Sequence, residues 1–271
     1  MPRLPRDAKL LRPVRPNAGV EADYRRRLDA LIEEMAHSLD YWLGATYKRN
    51  EPEIAQDAGW SAGASSPAQR LAAAISQLRD RWLARFDELA WGLAEHFALS
   101  AAARSDAALT SMLRRGGFSV KFRMTAAQKD IINATVNQNV AMIKSIPQQY
   151  LTDVEGLVMR SVQTGRDLGQ LREDLLGRYD ITKRRAALIA RDQNNKATSA
   201  LQRARQQELG ITEAIWVHSG GGREPRPTHL AKNGKRYNVA EGWYDPAEGR
   251  HIWPGELINC RCTSRAVMPG L

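Results

Sequence analysis

The sequence holds only two cysteines in 271 residues, too few for the multi-bridge framework of a small secreted domain. It has no run approaching the roughly 18 consecutive apolar residues that a spanning helix needs, and its mean hydropathy is -0.49, so integral membrane insertion is not expected. The first residues carry Arg and Pro without an apolar core and a small-residue cleavage site, and do not read as a secretory signal. Internal repeats, paired zinc knuckles and the aromatic-basic interleaving of a stacking platform are missing too. Ser219-Gly220-Gly221-Gly222 lacks the Gly-Lys-Ser/Thr continuation of a phosphate-binding loop and reads as a turn. What is present is a 43% hydrophobic chain with a formal charge of +10, long enough for two domains.

The positive charge is uneven. Residues 1–27 hold Arg3, Arg6, Lys9, Arg12, Arg15, Arg25, Arg26 and Arg27 against Asp7, Glu21 and Asp23, which is half of the net charge. A second excess lies in residues 178–207, where Arg178, Lys183, Arg184, Arg185, Arg191, Lys196, Arg203 and Arg205 oppose Asp180 and Asp192. Such fields attract a polyanion or an acidic protein face at long range without choosing between them. The N-terminal set is the candidate contact for DNA or an acidic partner.

Apolar spacing and punctuation predict an α+β protein that is mostly α-helical, with long helices in the N-terminal and central regions and a small C-terminal module of short strands and ordered loops. The reading divides it into a basic flexible arm over 1–20, an N-terminal helical region over 21–117, a central helical region over 118–210 and the module over 211–271. Repeated Pro with Arg gives the arm little to bury. Tyr24, Leu28, Leu31, Met35, Leu39, Trp42 and Thr46 make one face of a helix over 21–48. After a connector over 49–66, Ser66 and Pro67 open a helix to about residue 97, with Leu71, Ile75, Leu78, Trp82, Phe86, Leu89 and Leu93 on its buried side. A shorter helix follows Ser100 and stops at Gly116 and Gly117. Phe118, Val120, Phe122 and Met124 then alternate as a brief strand or an extended arm. Thr125 caps a helix over 126–143 that Pro147 ends or kinks. Thr152 and Glu155 form a capping box for the next helix, which Gly165 stops. Asp167 opens a short helical turn, and Thr182 caps a last long helix ending at Gly210. Beyond it, Ile215 and Val217 flank Trp216 in the clearest strand.

Three of the five histidines, His218, His229 and His251, share the last quarter of the chain with Cys260 and Cys262. A Cys-X-Cys pair offers soft ligands to zinc, and the histidines complete a tetrahedral set if folding brings them together. Reduced cysteines in a structural role, and redox chemistry, are the alternatives. Asn259 can bond nearby backbone and Arg261 can clamp a carboxylate or a carbonyl. Pro254 and Gly255 redirect the chain so that this segment packs back on the Trp216 strand, and Trp243 and Trp253 cover the small core. Catalytic readings are looser. His229, Asn238 and His251 give a histidine-asparagine-histidine order for a metal-dependent nuclease, Asp245 and Glu248 could bind a hard metal, and His229 could serve a Cys260 or Cys262 nucleophile as base. None is a motif match, the sequence names no orienting carboxylate, and no catalytic residue is assigned.

The stretch RRAALIARDQNNKATSALQRARQQELGI at 184–211, followed by Trp216, Arg226 with His229, Gly234, Pro254-Gly255 and Asn259-Cys260-Arg261-Cys262, resembles the bacteriophage Mu F-like minor head (virion morphogenesis) protein family over about residues 118–265. This sequence departs from the family at Ala190-Arg191-Asp192-Gln193, where members often carry Arg-Thr-Glu, and at Thr228, where they carry a Cys before the His. The resemblance implies a minor capsid protein of a phage or prophage that joins the portal or procapsid early in head assembly, sometimes with a role in DNA packaging or ejection. It places the protein in the virion head or procapsid, and in the bacterial host cytoplasm during assembly. Its partners would be the portal protein and major capsid components, with DNA contact through the basic arm, and its action stoichiometric rather than enzymatic. No cofactor is expected beyond the zinc that the cysteines could bind. Trp216, Arg226, His229, Pro254, Gly255, Asn259, Cys260, Arg261 and Cys262 form the module's candidate structural site. A DNA-active metal-dependent nuclease and a non-catalytic nucleic-acid binding protein stand as alternatives.

Overall fold

The computed structural model describes residues 9–49, 66–164, 167–221 and 224–268. Its elements run β1 (Lys9–Leu10), α1 (Ala18–Arg49), α2 (Pro67–Arg115), α3 (Ala126–Gln163), α4 (Leu168–Glu208), β2 (Glu213–Val217), α5 (Pro227–Lys232), β3 (Arg236–Asn238), β4 (Trp243–Asp245), β5 (Arg250–Ile252) and β6 (Thr263–Met268). The protein is thus mostly helical with a small C-terminal strand and loop module, as its patterning implied. No helix among the described residues is long and apolar enough to cross a membrane.

Local chemistry sets most helix ends. Asn17 Oδ1 accepts from the N–H groups of Gly19 and Val20 to start α1. Ser66 and Gln69 form a reciprocal capping box at α2, each side chain accepting from the other's backbone N–H. Thr125 caps α3 and Asp167 caps α4 through the N–H three residues on. At the other ends, Gly117 and Gly210 take positive φ, 90° and 69°. Each lets the following N–H, of Phe118 and Ile211, turn back to a carbonyl five residues earlier.

The helices are longer than the punctuation predicted. Ser100 does not open a separate helix, because the Ala-rich stretch around it carries no breaker and buries Ala98, Ala101 and Ala102. Pro147 lies inside α3. It costs one backbone hydrogen bond there, and the burial of Ile146, Tyr150 and Leu151 on either side of it outweighs that loss. Thr152 and Thr182 are not caps either, since both hydroxyls bond back to the carbonyl four residues earlier within a continuous helix. Along α1 the buried stripe continues from Leu39 to Leu43 and Tyr47 rather than to Trp42 and Thr46, the drift expected when a 3.6-residue turn is followed over many turns. Along α2, Leu89 and Leu93 are half-buried and Ala90 and Ala94 take the core positions. Residues 118–124 form no strand, but Phe118, Val120 and Phe122 pack against the module's core. The expected connector over 49–66 and the stop at Gly165 lie largely outside the described residues.

Two compact units account for the chain. One comprises Met1–Tyr24, Ala94–Gln138 and Leu188–Leu271, the other Arg25–Leu93 and Asn139–Ala187. The second unit is helical, with Leu28, Ile32, Met35, Leu71, Ile75, Phe86, Ile143 and Val158 in its core. In the first unit four antiparallel strands stand in the order β1-β6-β2-β3, with Trp216 opposite Ser264 and Ala214 opposite Ala266, and β4 and β5 form a separate hairpin. Ala214 and Trp216 point inward and their neighbours outward, the period-2 signature of a one-sided sheet. The flexible arm expected over 1–20 is therefore ordered from residue 9. Lys9 and Leu10 pair with β6, Leu11 is buried, and Leu11 N–H donates to Ala266 O while Leu11 O accepts from Arg265 Nε. Arg3 and Arg6 lie outside the described residues.

Much of the second basic excess faces inward to partners instead of forming an open field. Arg178 pairs with Asp153, Arg185 donates to Ser145, Lys196 pairs with Asp192, and Lys183 and Arg203 lie over the rings of Tyr179 and Trp253. Arg205, 2% exposed, donates to both Asp106 oxygens at 2.9 and 2.7 Å, to Glu208 at 2.7 Å and to Arg123 O at 2.8 Å, with the Phe122 ring against its guanidinium. Arg205→Gln keeps too few donors to serve all of these acceptors and should lower the unfolding free energy by about 3 kcal/mol. Urea denaturation of the two proteins measures this, and coincident midpoints would contradict it.

Candidate metal centre

The residues of the centre come from three places in the module. Helix α5 is held at its start by Pro227 and presents Thr228, His229 and Lys232 within a single turn and a half. The hairpin strand β4 supplies Asp245, and the loop leading into β6 supplies Cys260 and Cys262. Gly255 carries a φ of 84°, and a Cβ there would stand 3.0 Å from the Ser199 side chain and 3.3 Å from Cys262 O, so only glycine lets this loop come so close to α4. Ser199 fastens the same loop by donating to Pro254 O. Asn259 is the one described non-glycine residue with positive φ, 58°, a conformation asparagine tolerates better than most. Its backbone N–H donates to Asp192 Oδ1 at 2.6 Å. Asp192 thereby anchors the cysteine loop to α4.

His229, Cys260 and Cys262 are all buried, and their ligand atoms lie within 4.8 Å of one another. His229 Nδ1 is 3.4 Å from Cys260 Sγ and 3.6 Å from Cys262 Sγ. Bonds of about 2.3 Å to sulfur and about 2.0 Å to nitrogen, opened to a tetrahedral angle, span about 3.5 Å between ligand atoms, so this donor set fits zinc in size as well as softness. Backbone N–H groups of Cys262 and Gly255 point at Cys260 Sγ, and that of Ser219 at Cys262 Sγ. The Cys260 thiol is pushed down from its ordinary range, chiefly by the Cys262 thiol donating to it, and Cys262 is pushed up by the same shared proton. The pair thus already favours one thiolate, the form a metal requires.

On the far side of the imidazole, His229 Nε2 is buried and faces Asp245 Oδ2 at 3.6 Å. Asp245 has no exposed surface, and it accepts from Lys232 Nζ at 3.0 Å, Thr228 Oγ1 at 3.0 Å and Ala247 N–H at 3.0 Å. Burial alone would raise its pKa, but these donors, Lys232 foremost, outweigh it and hold the carboxyl below its usual value. The carboxylate therefore favours the tautomer with hydrogen on Nε2 and a lone pair on Nδ1 facing the sulfurs. The charges balance by pairs. Lys232 offsets Asp245, and a divalent ion would offset two thiolates, so the filled centre would bury no net charge. Trp216 closes it from one side, with the His229 ring 5.2 Å away edge-on and Lys232 Nζ 5.1 Å from the indole centroid.

The other candidates fall elsewhere. His218 is half-buried, accepting from Gly220 N–H through Nδ1, and His251 is exposed beside Tyr244 on the hairpin. Neither joins the cluster found among the described residues, which leaves three protein ligands in place of the expected tetrahedral set. Thr228 is turned to Asp245. Asn238 Oδ1 accepts from Ala240 and Glu241 N–H in a turn, and the Asp245 read as a hard-metal ligand is taken up by Lys232. Arg226 clamps a loop carbonyl, that of Ile258, at 3.1 Å, whereas Arg261 is exposed beside Gly221. Lys232 and Thr228 escaped the sequence reading because a Thr and a Lys four apart on a short helix carry no signal until a carboxylate is placed beside them. A cavity of about 20 Å³ borders Cys262, room for a water molecule.

Protein purified without added metal should carry near-stoichiometric zinc by elemental analysis, and Asp245→Asn should weaken zinc affinity by about tenfold to a hundredfold. Fully folded metal-free protein with two reduced thiols would refute the centre. Asp245→Asn should also cost about 3–5 kcal/mol at neutral pH by stranding the Lys232 ammonium. Because the Asp245 carboxyl sits below its unfolded value, its contribution is complete above about pH 4 and is lost as the pH falls through the folded-state value. Urea midpoints of wild type and Asp245→Asn should accordingly converge in acid.

A 140-residue stretch is 37% identical to an uncharacterized protein of Haemophilus influenzae, covering 51% of this chain and 29% of that protein, so the chain spans under a third of the length of the relative it matches. No solved structure matches it. Residues 152–265 match the family described as Phage Mu protein F like protein, a range that takes in all of α4, α5 and the cysteine loop. The segment that builds the His229, Cys260 and Cys262 centre thus lies within the match to the Phage Mu protein F like family.

Proposed function

We propose that the protein is a minor head component that joins the portal or procapsid stoichiometrically, assists head morphogenesis and turns over no substrate. The observation that carries this reading is the coincidence of the family match over 152–265 with a module in which His229, Cys260 and Cys262 are buried together. A centre of that kind stiffens a small module into an attachment surface. Its partners in this reading are the portal protein and the major capsid components, met in the host cytoplasm during assembly and kept in the virion head.

DNA contact during packaging or ejection is the second part of the proposal. Arg12 and Arg15 are exposed on the ordered strap that precedes α1, and Arg25, Arg26 and Arg27 follow on the helix. These charges suit a phosphate backbone or an acidic face of the portal. Arg25 is engaged with Asp29 at 3.4 Å on the helix surface, an interaction that a polyanion could displace.

Particles purified from an assembly-competent lysate should retain the protein at a fixed ratio to portal subunits, as counted by quantitative mass spectrometry. Its absence from both particles and assembly intermediates would remove the head role. Cleavage of DNA by the folded, purified protein with a divalent metal would instead establish the nuclease alternative.

A further inference from the structure

A groove of about 430 Å³ lies within the first unit, between α3, α4 and the loop that carries Trp253. Its centre is Arg203, whose guanidinium rests on the Trp253 indole 4.1 Å from the ring centroid. The indole is fixed in turn, because Trp253 Nε1 donates to Val239 O at 2.9 Å and Trp253 N–H donates to Glu256 at 2.9 Å. Arg203 is half-buried, and burial lowers its pKa from the ordinary guanidinium value.

The neighbouring charges are already engaged. Lys196 pairs with Asp192 at 2.8 Å, and Glu256 accepts from Arg250 at 2.6 Å. Arg203 alone, among the charged groups lining the groove, has no hydrogen bond or ion pair with the described residues, and Glu256, bonded to Arg250 and Trp253, acts on it only through its charge. Stacking holds its planar fork rigid while the edge N–H groups stay free, which is the preorganised state for a bidentate oxyanion. The apolar wall beside it is made by Ile131, Ala134, Ala197 and Ala200.

We infer that this groove is a docking site for an acidic peptide segment, in which Arg203 takes a Glu or Asp carboxylate in a two-point clasp and the alanine-lined wall takes an adjacent aliphatic side chain. The volume falls in the range of small-ligand sites and suits one or two side chains. Nucleic acid fits less well. A phosphodiester chain is held by a succession of cations along its track, whereas this groove offers a single unengaged cation. The inference does not rest on the head-assembly role. Carboxylate-dependent binding would stand if particle retention failed, and its loss would leave particle retention untouched.

The test uses the full chain and two blocked pentapeptides, one with a central glutamate flanked by alanine and leucine, the other with glutamine in its place. Binding is followed through the tryptophan indole N–H resonances, with that of Trp253 assigned by Trp253→Phe. The glutamate peptide should shift the Trp253 resonance saturably and bind at least about tenfold tighter than the glutamine peptide. Arg203→Gln should abolish that difference, and Arg203→Lys should retain only part of it, since an ammonium offers no fork. Equal responses to the two peptides, no response to either, or a duplex oligonucleotide or inorganic phosphate displacing the glutamate peptide at lower concentration than free glutamate peptide does would overturn the proposal. If Arg203→Gln loses indole dispersion and so fails to fold, the two-peptide comparison on the wild-type protein decides alone.

Discussion

The C-terminal module is built around a carboxylate removed entirely from water. An ionised Asp in such a place costs several kcal/mol unless donors surround it, and Asp245 finds three in Lys232, Thr228 and its own hairpin. Satisfying it fixes α5 against β4, because Thr228 and Lys232 sit one turn apart and can reach the same oxygen only in one orientation of the helix. That orientation in turn aims His229 with one nitrogen at the carboxylate and the other at the two sulfurs. The centre is therefore a product of charge neutralisation one layer away, and Trp216 serves both layers by covering the imidazole and the ammonium.

Helical character and helix starts were legible because their signals are local. Ser66, Thr125 and Asp167 cap where their side-chain chemistry says they should, and Gly210 stops α4 by taking a conformation other residues resist. Interior breaks were misread in one direction. Pro147, Ser100, Thr152 and Thr182 all look like ends in isolation, and tertiary burial carries the helix through each of them. At the centre, Cys260, Cys262 and His229 were legible by type, since thiols and imidazoles are few. The choice among three histidines was not, because it depends on Asp245, on Asp192 holding Asn259 from 67 positions away, and on a glycine whose role is to leave room. The ordered strap at Lys9–Leu11 was illegible for the same reason, as its partners are in β6.

Composition also overstated the outward charge. A +10 chain suggests two basic fields, yet along α4 the cations are largely answered by Asp153, Asp192, Asp106 and Glu208 or laid on aromatic rings. Arg205 is the extreme case, a guanidinium used as a buried four-acceptor junction. Within the segment 152–265 that matches the family, the cations that looked most like a polyanion field are largely engaged with neighbouring side chains.

The strand order has a consequence for biogenesis. β6 stands between β1 and β2, so the first described strand reaches the sheet only through the last one. A ribosome must therefore expose β6 before the sheet can close, and until then Trp216 and Leu11 have no finished interior to enter. Closure across so long a stretch of sequence is slow, which makes the interval before translation passes residue 268 the period when chaperone protection of this unit matters most.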